Sequence, residues 1–136
     1  MFCSLFSHLN GLCLGLDRSN ELTMMQKRDG GNRVLWKWEG KSLINKTGLA
    51  MDLEGGNNQT GTRVLGWEHH GQINQQWRME GKHIRCEGNN LVLDIQESDR
   101  RPGTKVKVWS KNYPESPNQM WKLEPGESFD TKIYRG

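Results

Sequence analysis

One unit written three times governs what this chain can fold into. Leu12, Leu49 and Leu91 open equivalent stretches, giving periods of 49−12=37 and 91−49=42 residues. Aligning Trp38, Trp77 and Trp121 gives 39 and 44. A period of this length marks stacked or radially arranged units, none of which buries its apolar face alone. The middle copy is the fullest. It runs from Leu49-Ala50-Met51-Asp52-Leu53 through a Gly/Asn-rich turn (Gly55 to Gly61) to a β-type run closing on Trp67, then a polar loop and Gln75-Gln76-Trp77. The last third repeats it as Leu91-Val92-Leu93-Asp94-Ile95, then Gly103 to Trp109, then Asn118-Gln119-Met120-Trp121. The first third is a worn copy.

The apolar runs are short, alternating or β-branched (Arg63 to Trp67, His83 to Cys86, Lys105 to Trp109) and separated by Gly, Asn and Pro clusters. No window of helical length carries a sustained i, i+3, i+4 apolar pattern, so the fold class is all-β. Gly40-Lys41 and Gly81-Lys82 sit where a hairpin turn would join the closing strand of one copy to the opening strand of the next. Each unit then supplies about four strands, and three units close on one another to remove most sheet edges. The repeats fall at 1–40, 41–82 and 83–125, within a single domain spanning 1–125. Residues 126–136 match nothing in the repeats and form a C-terminal tail, either a surface strap or the start of a linker in a longer protein.

Composition is consistent with a small core. Leu, Ile, Val and Phe make up only about a fifth of the chain, near the composition of disordered segments. The formal charge of +3 and the six tryptophans argue for a folded domain instead. Nucleic acid and membrane surfaces are not indicated, because no basic residues cluster on one face. Lys105 and Lys107 alternate with Val106 and Val108, the pattern of a solvated strand face. Cys3, Cys13 and Cys86 are odd in number and at no metal-ligand spacing, which favours a reducing compartment over a disulfide framework. The opening MFCSLFSHLNGLCLGL lacks a basic start and a small-x-small cleavage site, and Gly11 to Leu16 aligns with the repeats. Localisation stays open between the cytoplasm and secretion without a recognisable leader. No stretch is long enough to span a bilayer. Asn45-Lys46-Thr47 and Asn58-Gln59-Thr60 are glycosylation sequons, relevant only on a secretory route.

Three units with an apolar-Asp run, a Gly-Thr-x-Val-x-x-Trp strand and a closing Gln-x-Trp resemble the ricin-B-type lectin family. The two good copies agree in spacing, with Asp to Gly at 61−52=9 and 103−94=9, and Asp to Trp at 67−52=15 and 109−94=15. The resemblance covers residues 2–124 and implies a β-trefoil of three pseudo-symmetric four-stranded repeats. It also implies carbohydrate binding, for glycans ending in galactose or N-acetylgalactosamine on glycoproteins or glycolipids. Gly11 to Leu16 and Leu35-Trp36-Lys37-Trp38 are similar to the cysteine-rich domain of the mannose-receptor family, whose repeat disulfides are missing here.

A galactose-type sugar presents a C–H patch on one face and hydroxyls on its edge. A site for it needs a flat aromatic, a carboxylate that accepts from adjacent hydroxyls, an amide, and a rigid frame that loses little entropy on binding. The resemblance implies these roles for Asp52 (hydroxyl acceptor), Trp67 (platform) and Asn74 (amide) in the middle copy. In the third copy they fall on Asp94, Trp109 and Asn118. Gln75 and Gln119 take a supporting role, holding the Asp-bearing segment. Trp38, Trp77 and Trp121 belong to the core. The first copy puts Gly15 in place of the Asp, Met25 in place of the platform, Leu35 for the Asn and Trp36 for the Gln, while Asp17 lies two residues off. It is expected to bind no sugar.

Other chemistries find no support. Glu68-His69-His70 lacks a third ligand for a metal and reads as loop, with a minor part as extra sugar contacts. Gly55-Gly56-Asn57-Asn58 is not followed by the Gly-Lys-Ser/Thr of a phosphate loop. No nucleophile–base or carboxylate pair has a catalytic context, so the chain reads as a non-enzyme with no cofactor. Two alternatives stay open: a trefoil protein-interaction or protease-inhibitor module without sugar binding, and the targeting domain of a larger toxin or enzyme. Two sites on one body, or a homodimer, would raise avidity by about 10²–10⁴ if glycan spacing matches.

Overall fold

Alternation within each run decides which face is buried. In the Val106–Trp109 strand both valines are buried, Lys107 is half-buried and Trp109 is exposed. The computed structural model describes residues 1–125, so the tail at 126–136 lies outside the described residues. Twelve strands follow in order. The first repeat holds β1 (Cys3–Ser7), β2 (Cys13–Leu16), β3 (Leu22–Met25) and β4 (Trp36–Glu39). The second holds β5 (Ser42–Asn45), β6 (Ala50–Leu53), β7 (Val64–Trp67) and β8 (Trp77–Glu80). The third holds β9 (His83–Cys86), β10 (Val92–Ile95), β11 (Val106–Trp109) and β12 (Trp121–Pro125). A single turn of helix, α1 (Lys27–Gly30), occurs in the first repeat.

Six of these strands close on themselves. β1 pairs with β12 and β4, β4 with β5, and β8 with β9. Backbone bonds from Trp77 N to the Lys41 carbonyl and from Trp121 N to the Lys82 carbonyl, both 2.8 Å, join the remaining neighbours. The apolar opening of the chain is therefore a barrel strand, paired along its length with the last strand. The β4–β5 and β8–β9 hairpins turn at Gly40 and Gly81, each at positive φ (61° and 63°), which glycine adopts without a Cβ penalty. The other six strands form three hairpins, β2–β3, β6–β7 and β10–β11. Isolated bridges Glu21↔Leu65, Thr23↔Lys105 and Arg63↔Lys107 tie these hairpins into a triangle over one end of the barrel. This is the β-trefoil that the repeats imply.

The core is centred on Trp36, Trp77 and Trp121, each no more than 1% exposed, surrounded by leucines, valines and methionines from all three repeats. Two of the indoles donate inward, Trp36 Nε1 to the Leu14 carbonyl (3.1 Å) and Trp77 Nε1 to the Met51 carbonyl (3.0 Å). Trp121 Nε1 is buried without a partner among the described residues, a desolvation cost of about 1–3 kcal/mol that the other two copies avoid. Trp36, not Trp38, is thus the first-copy equivalent of Trp77, and Trp38 is only half-buried at the margin of the core. The core periods become 77−36=41 and 121−77=44. The reason is local: Trp36 and Trp38 lie two residues apart on one strand, on the same face, and only the first reaches the interior. Cys3, Cys13 and Cys86 are free and buried. Burial raises all three thiols, Cys13 to about 11, which leaves them poor nucleophiles.

Candidate functional site

The three cap hairpins place equivalent residues at the same corner of each repeat. In the second repeat Asp52 faces Leu65 across the β6–β7 ladder and Ala50 faces Trp67. In the third Asp94 faces Lys107 and Val92 faces Trp109. In the first Gly15 faces Thr23 and Cys13 faces Met25. Beside each corner a 3₁₀ turn precedes the barrel strand: Gly31–Val34, Ile73–Gln75 and Pro117–Gln119. The second and third of these turns deliver the Asn–Gln pairs.

In the second repeat Gln75 is fully buried, and its Nε2 donates to Asp52 Oδ2 (2.8 Å) and to the Glu68 carbonyl (2.9 Å). Its Oε1 accepts from the backbone N–H groups of His70 (2.9 Å) and Gly71 (3.1 Å). Asn74 Nδ2 donates to the same Asp52 oxygen (3.3 Å) and to the Leu53 carbonyl (3.4 Å). The third repeat reproduces this set. Gln119 Nε2 donates to Asp94 Oδ2 (2.8 Å) and the Ser110 carbonyl (2.9 Å), and its Oε1 accepts from Asn112 N–H (2.9 Å). Asn118 Nδ2 donates to Asp94 Oδ2 (3.3 Å) and the Ile95 carbonyl (3.4 Å). In both copies Oδ1 of the aspartate has no partner among the described residues.

A shallow cavity opens over each aspartate. The second-repeat cavity, about 280 Å³, is lined by Asp52, Glu54, Gly55, Leu65, Trp67, His70 and Asn74. The third-repeat cavity, about 390 Å³, is lined by Asp94, Gln96, Glu97, Lys107, Trp109, Asn112 and Asn118. Trp67 and Trp109 are 59% and 47% exposed, so neither is core and both offer a free indole face. Burial pushes both aspartates above the ordinary carboxylate value, against the pull of the Gln and Asn donors and, for Asp52, of His70. His70 Nδ1 accepts from Gln72 N–H (3.0 Å), which puts the ring proton of the neutral imidazole on Nε2, 3.8 Å from Asp52 Oδ2.

All eight residues named from sequence converge in these two places, four in each. Sequence reasoning left out Glu54/Gln96, Gly55/Glu97 and the part of Asn112 on the cavity wall; Leu65 and Lys107, on the strands entering the two tryptophans, are the difference by which the sequence already sets the two sites apart. A signal was available. His70 and Asn112 each follow the platform tryptophan by three residues (70−67=3, 112−109=3), and Leu65 and Lys107 each precede it by two.

The first copy is different, and its alignment needs correction. With Trp36 matched to Trp77, the Asn and Gln positions fall on Arg33 and Val34, not on Leu35 and Trp36. Arg33 Nη1 donates to the Leu16 (3.2 Å) and Asp17 (2.7 Å) carbonyls, keeping the backbone tie that Asn74 makes to Leu53. A Cβ on Gly15 would lie 2.5 Å from Met25 Sδ and 3.0 Å from Val34 Cγ1, so apolar atoms occupy the space of the carboxylate. Asp17 serves the turn and the repeat interface. Its Oδ1 accepts from Ser19 and Glu21 N–H, and its Oδ2 meets Lys105 Nζ at 2.8 Å. Burial pushes this carboxyl up, but Lys105 and the two backbone donors outweigh that and hold it below its ordinary value.

Comparison with known proteins agrees with the fold. The family model for the ricin-type beta-trefoil lectin domain matches residues 2–121. The chain belongs to the ricin-type β-trefoil lectin family. No curated protein sequence matches it closely. Among solved structures, this ricin-type domain is similar to the C-half of the earthworm R-type lectin in complex with GalNAc, at 21% identity and a TM-score of 0.73, covering 90% of this chain and 97% of that one. The Rhizoctonia solani agglutinin aligns at 24% identity and a TM-score of 0.74, covering 91% and 94%. The designed three-fold symmetric protein ThreeFoil aligns at 19% and 0.79, covering 90% and 97%. Likeness at these identities speaks for the shared trefoil. As a member of this family the chain is a carbohydrate-binding type of domain.

Proposed function

We propose that residues 1–125 act as one lectin domain that binds galactose- or N-acetylgalactosamine-terminated glycans at two sites, in the second and third repeats, without catalysing a reaction on them. The observation that carries this reading is the duplicated aspartate. In each copy one carboxylate oxygen is held by an amide pair at matching distances, 2.8 and 3.3 Å, and the other is left for a ligand beside a half-exposed tryptophan. Two adjacent sugar hydroxyls would donate to Asp52 or Asp94, the C–H face would cover Trp67 or Trp109, and Asn74 or Asn118 would meet the hydroxyl edge. Hydrogen bonds to a charged acceptor contribute about 1.5–3 kcal/mol each. The buried Gln75 and Gln119 hold the frame, so little ordering entropy is lost on binding. The earthworm relative, whose structure contains GalNAc, supports the ligand class.

The test is retention on immobilised galactose and N-acetylgalactosamine, backed by a glycan array. Wild type is expected to be retained, and an Asp52→Ala/Asp94→Ala double variant with an unchanged circular dichroism spectrum is expected to flow through. A folded wild type that binds no glycan on the array sinks the reading. Capture of a protein partner that survives deglycosylation would favour an interaction module instead.

A further inference from the structure

The two sites share a frame but not a wall, and the wall residue that differs most in chemistry faces the ligand-binding aspartate directly. Leu65 stands opposite Asp52, and Lys107 stands opposite Asp94. Both line their cavities. We propose that the third-repeat site selects glycans carrying an acidic substituent, a sulfate ester or a sugar carboxylate, with Lys107 as the specificity-determining cation, while the second-repeat site selects neutral glycans. This rests on the carbohydrate reading above.

Lys107 is free where its neighbours are not. Lys105 is committed to Asp17 (2.8 Å) and Glu21 (3.5 Å), and Lys111 lies 3.7 Å from Glu115 and over the Tyr113 ring. The Lys107 ammonium has neither hydrogen bond nor ion pair among the described residues, although Asp94 and Glu97 line the same cavity. At Asp94 the amides of Gln119 and Asn118 already hold Oδ2. An ammonium held at a cavity wall by a strand, flanked by buried Val106 and Val108, is a ready counter-charge for an anion.

The second site lacks such a group. Its wall carries the carboxylates of Asp52 and Glu54 and neither lysine nor arginine. Arg63 is close by but committed to Glu54 and Glu21, both at 3.5 Å. Both cavities carry two carboxylates, but an acidic substituent here would meet the His70 imidazole and the side chain of Leu65 where the third site offers the Lys107 ammonium. The larger third cavity, about 390 Å³ against 280 Å³, also has room for the added group.

The experiment isolates each site. Asp52→Ala leaves the third site to act alone and Asp94→Ala leaves the second. Each is titrated calorimetrically with a neutral galactoside and with its sulfated and sialylated derivatives. With Asp52→Ala the acidic form is expected to bind about fivefold tighter than the neutral one at low salt, the advantage shrinking as ionic strength rises. Which derivative gains identifies the sulfate ester or the carboxylate as the source. Adding Lys107→Leu should bring the ratio to one, and adding Leu65→Lys to Asp94→Ala should create a preference at the second site. If Asp52→Ala binds the neutral galactoside and shows no acidic preference, or keeps its preference with Lys107→Leu, this proposal is overturned and the lectin reading stands. If neither single-site variant nor wild type binds any of these ligands while folded, both fall.

Discussion

Gly15 and Asp52 hold the same register position on equivalent hairpins, and the residues around each have moved in step. Around Asp52 stand Trp67, Asn74 and Gln75, a half-exposed aromatic and two amides. Around Gly15 stand Met25, Arg33 and Val34, and the sulfur and methyl groups close in until no side chain fits between them. The frame outlives the site. Arg33 keeps, at the Leu16 carbonyl, the backbone tie that Asn74 makes to Leu53, and Trp36 keeps the indole bond of Trp77. What distinguishes the two proposed binding corners from the first-repeat corner is therefore the buried polar triad Asp–Asn–Gln. It is replaced as a unit, because an aspartate stripped of its amides, or amides stripped of their aspartate, would leave buried polar groups unpaired.

The largest expected effect tests which first-repeat tryptophan belongs to that frame. Trp36→Ala removes a fully buried indole and its hydrogen bond, and should cost about 3–5 kcal/mol in urea denaturation. Trp38→Ala, at the half-buried margin, should cost less than half as much. Equal costs would mean that the two-residue shift of the first copy is misplaced.

Next in size is the attempt to convert one corner into the other. Gly15→Asp drives a Cβ to 2.5 Å from Met25 Sδ and buries a carboxylate with no amide donors. It should destabilise by about 1–3 kcal/mol and bring no sugar binding. The reverse change, Gln75→Val, takes the shorter of the two amide bonds from Asp52 and orphans three backbone groups. It should cost a similar ~1–3 kcal/mol and abolish retention through the second site. If Gln75→Val is as stable as wild type, the amide frame is dispensable and the comparison loses its basis.

Much of this was readable from the chain alone. The two candidate sites in the second and third repeats were legible because Asp, Trp, Asn and Gln recur at matched separations, and such separations survive folding when every intervening element is a short strand or tight turn. The first copy was misread by two residues. Trp36-Lys37-Trp38 offers two tryptophans on one face of a strand, and nothing local to the sequence says which one the barrel swallows. The β2–β3 hairpin is five residues shorter than its counterparts (25−15=10 against 67−52=15 and 109−94=15), which removes the spacing that would have decided it. The cavity walls were only partly legible, for another reason. Lys107 reads as solvated strand and His70 as loop with a minor part in extra sugar contacts, and Glu54, Gln96, Glu97 and Asn112 carry no such signal; their side chains border the pocket because the hairpin and the polar loop fold over the same aspartate.

The smallest change in stability comes with the largest change in binding. Asp52→Asn or Asp94→Asn keeps an oxygen to accept from the Gln and Asn donors, so either variant should stay within about 1 kcal/mol of wild type at pH 7. Its pH dependence separates it from wild type. Burial raises both native carboxyls above their unfolded value, near 4, so the folded chain holds these protons more tightly than the unfolded one. Ionising them therefore costs folding stability as pH rises from the unfolded value through the folded one, a loss the double Asn variant should not show in that window. Glycan binding has the opposite sign. Donation from sugar hydroxyls is strongest to the ionised carboxylate, so wild-type affinity should fall as pH drops, with a midpoint above the ordinary aspartate range. Each single Asn variant should lose at least tenfold in affinity at its own site even at neutral pH. Parallel denaturation and binding titrations between pH 3 and pH 7 read both signs on one protein. Because Asp17, held below its ordinary value, adds stability as pH rises, the sign is read as wild type minus the double Asn variant. A difference that grew in favour of wild type over that range would overturn the buried-aspartate account.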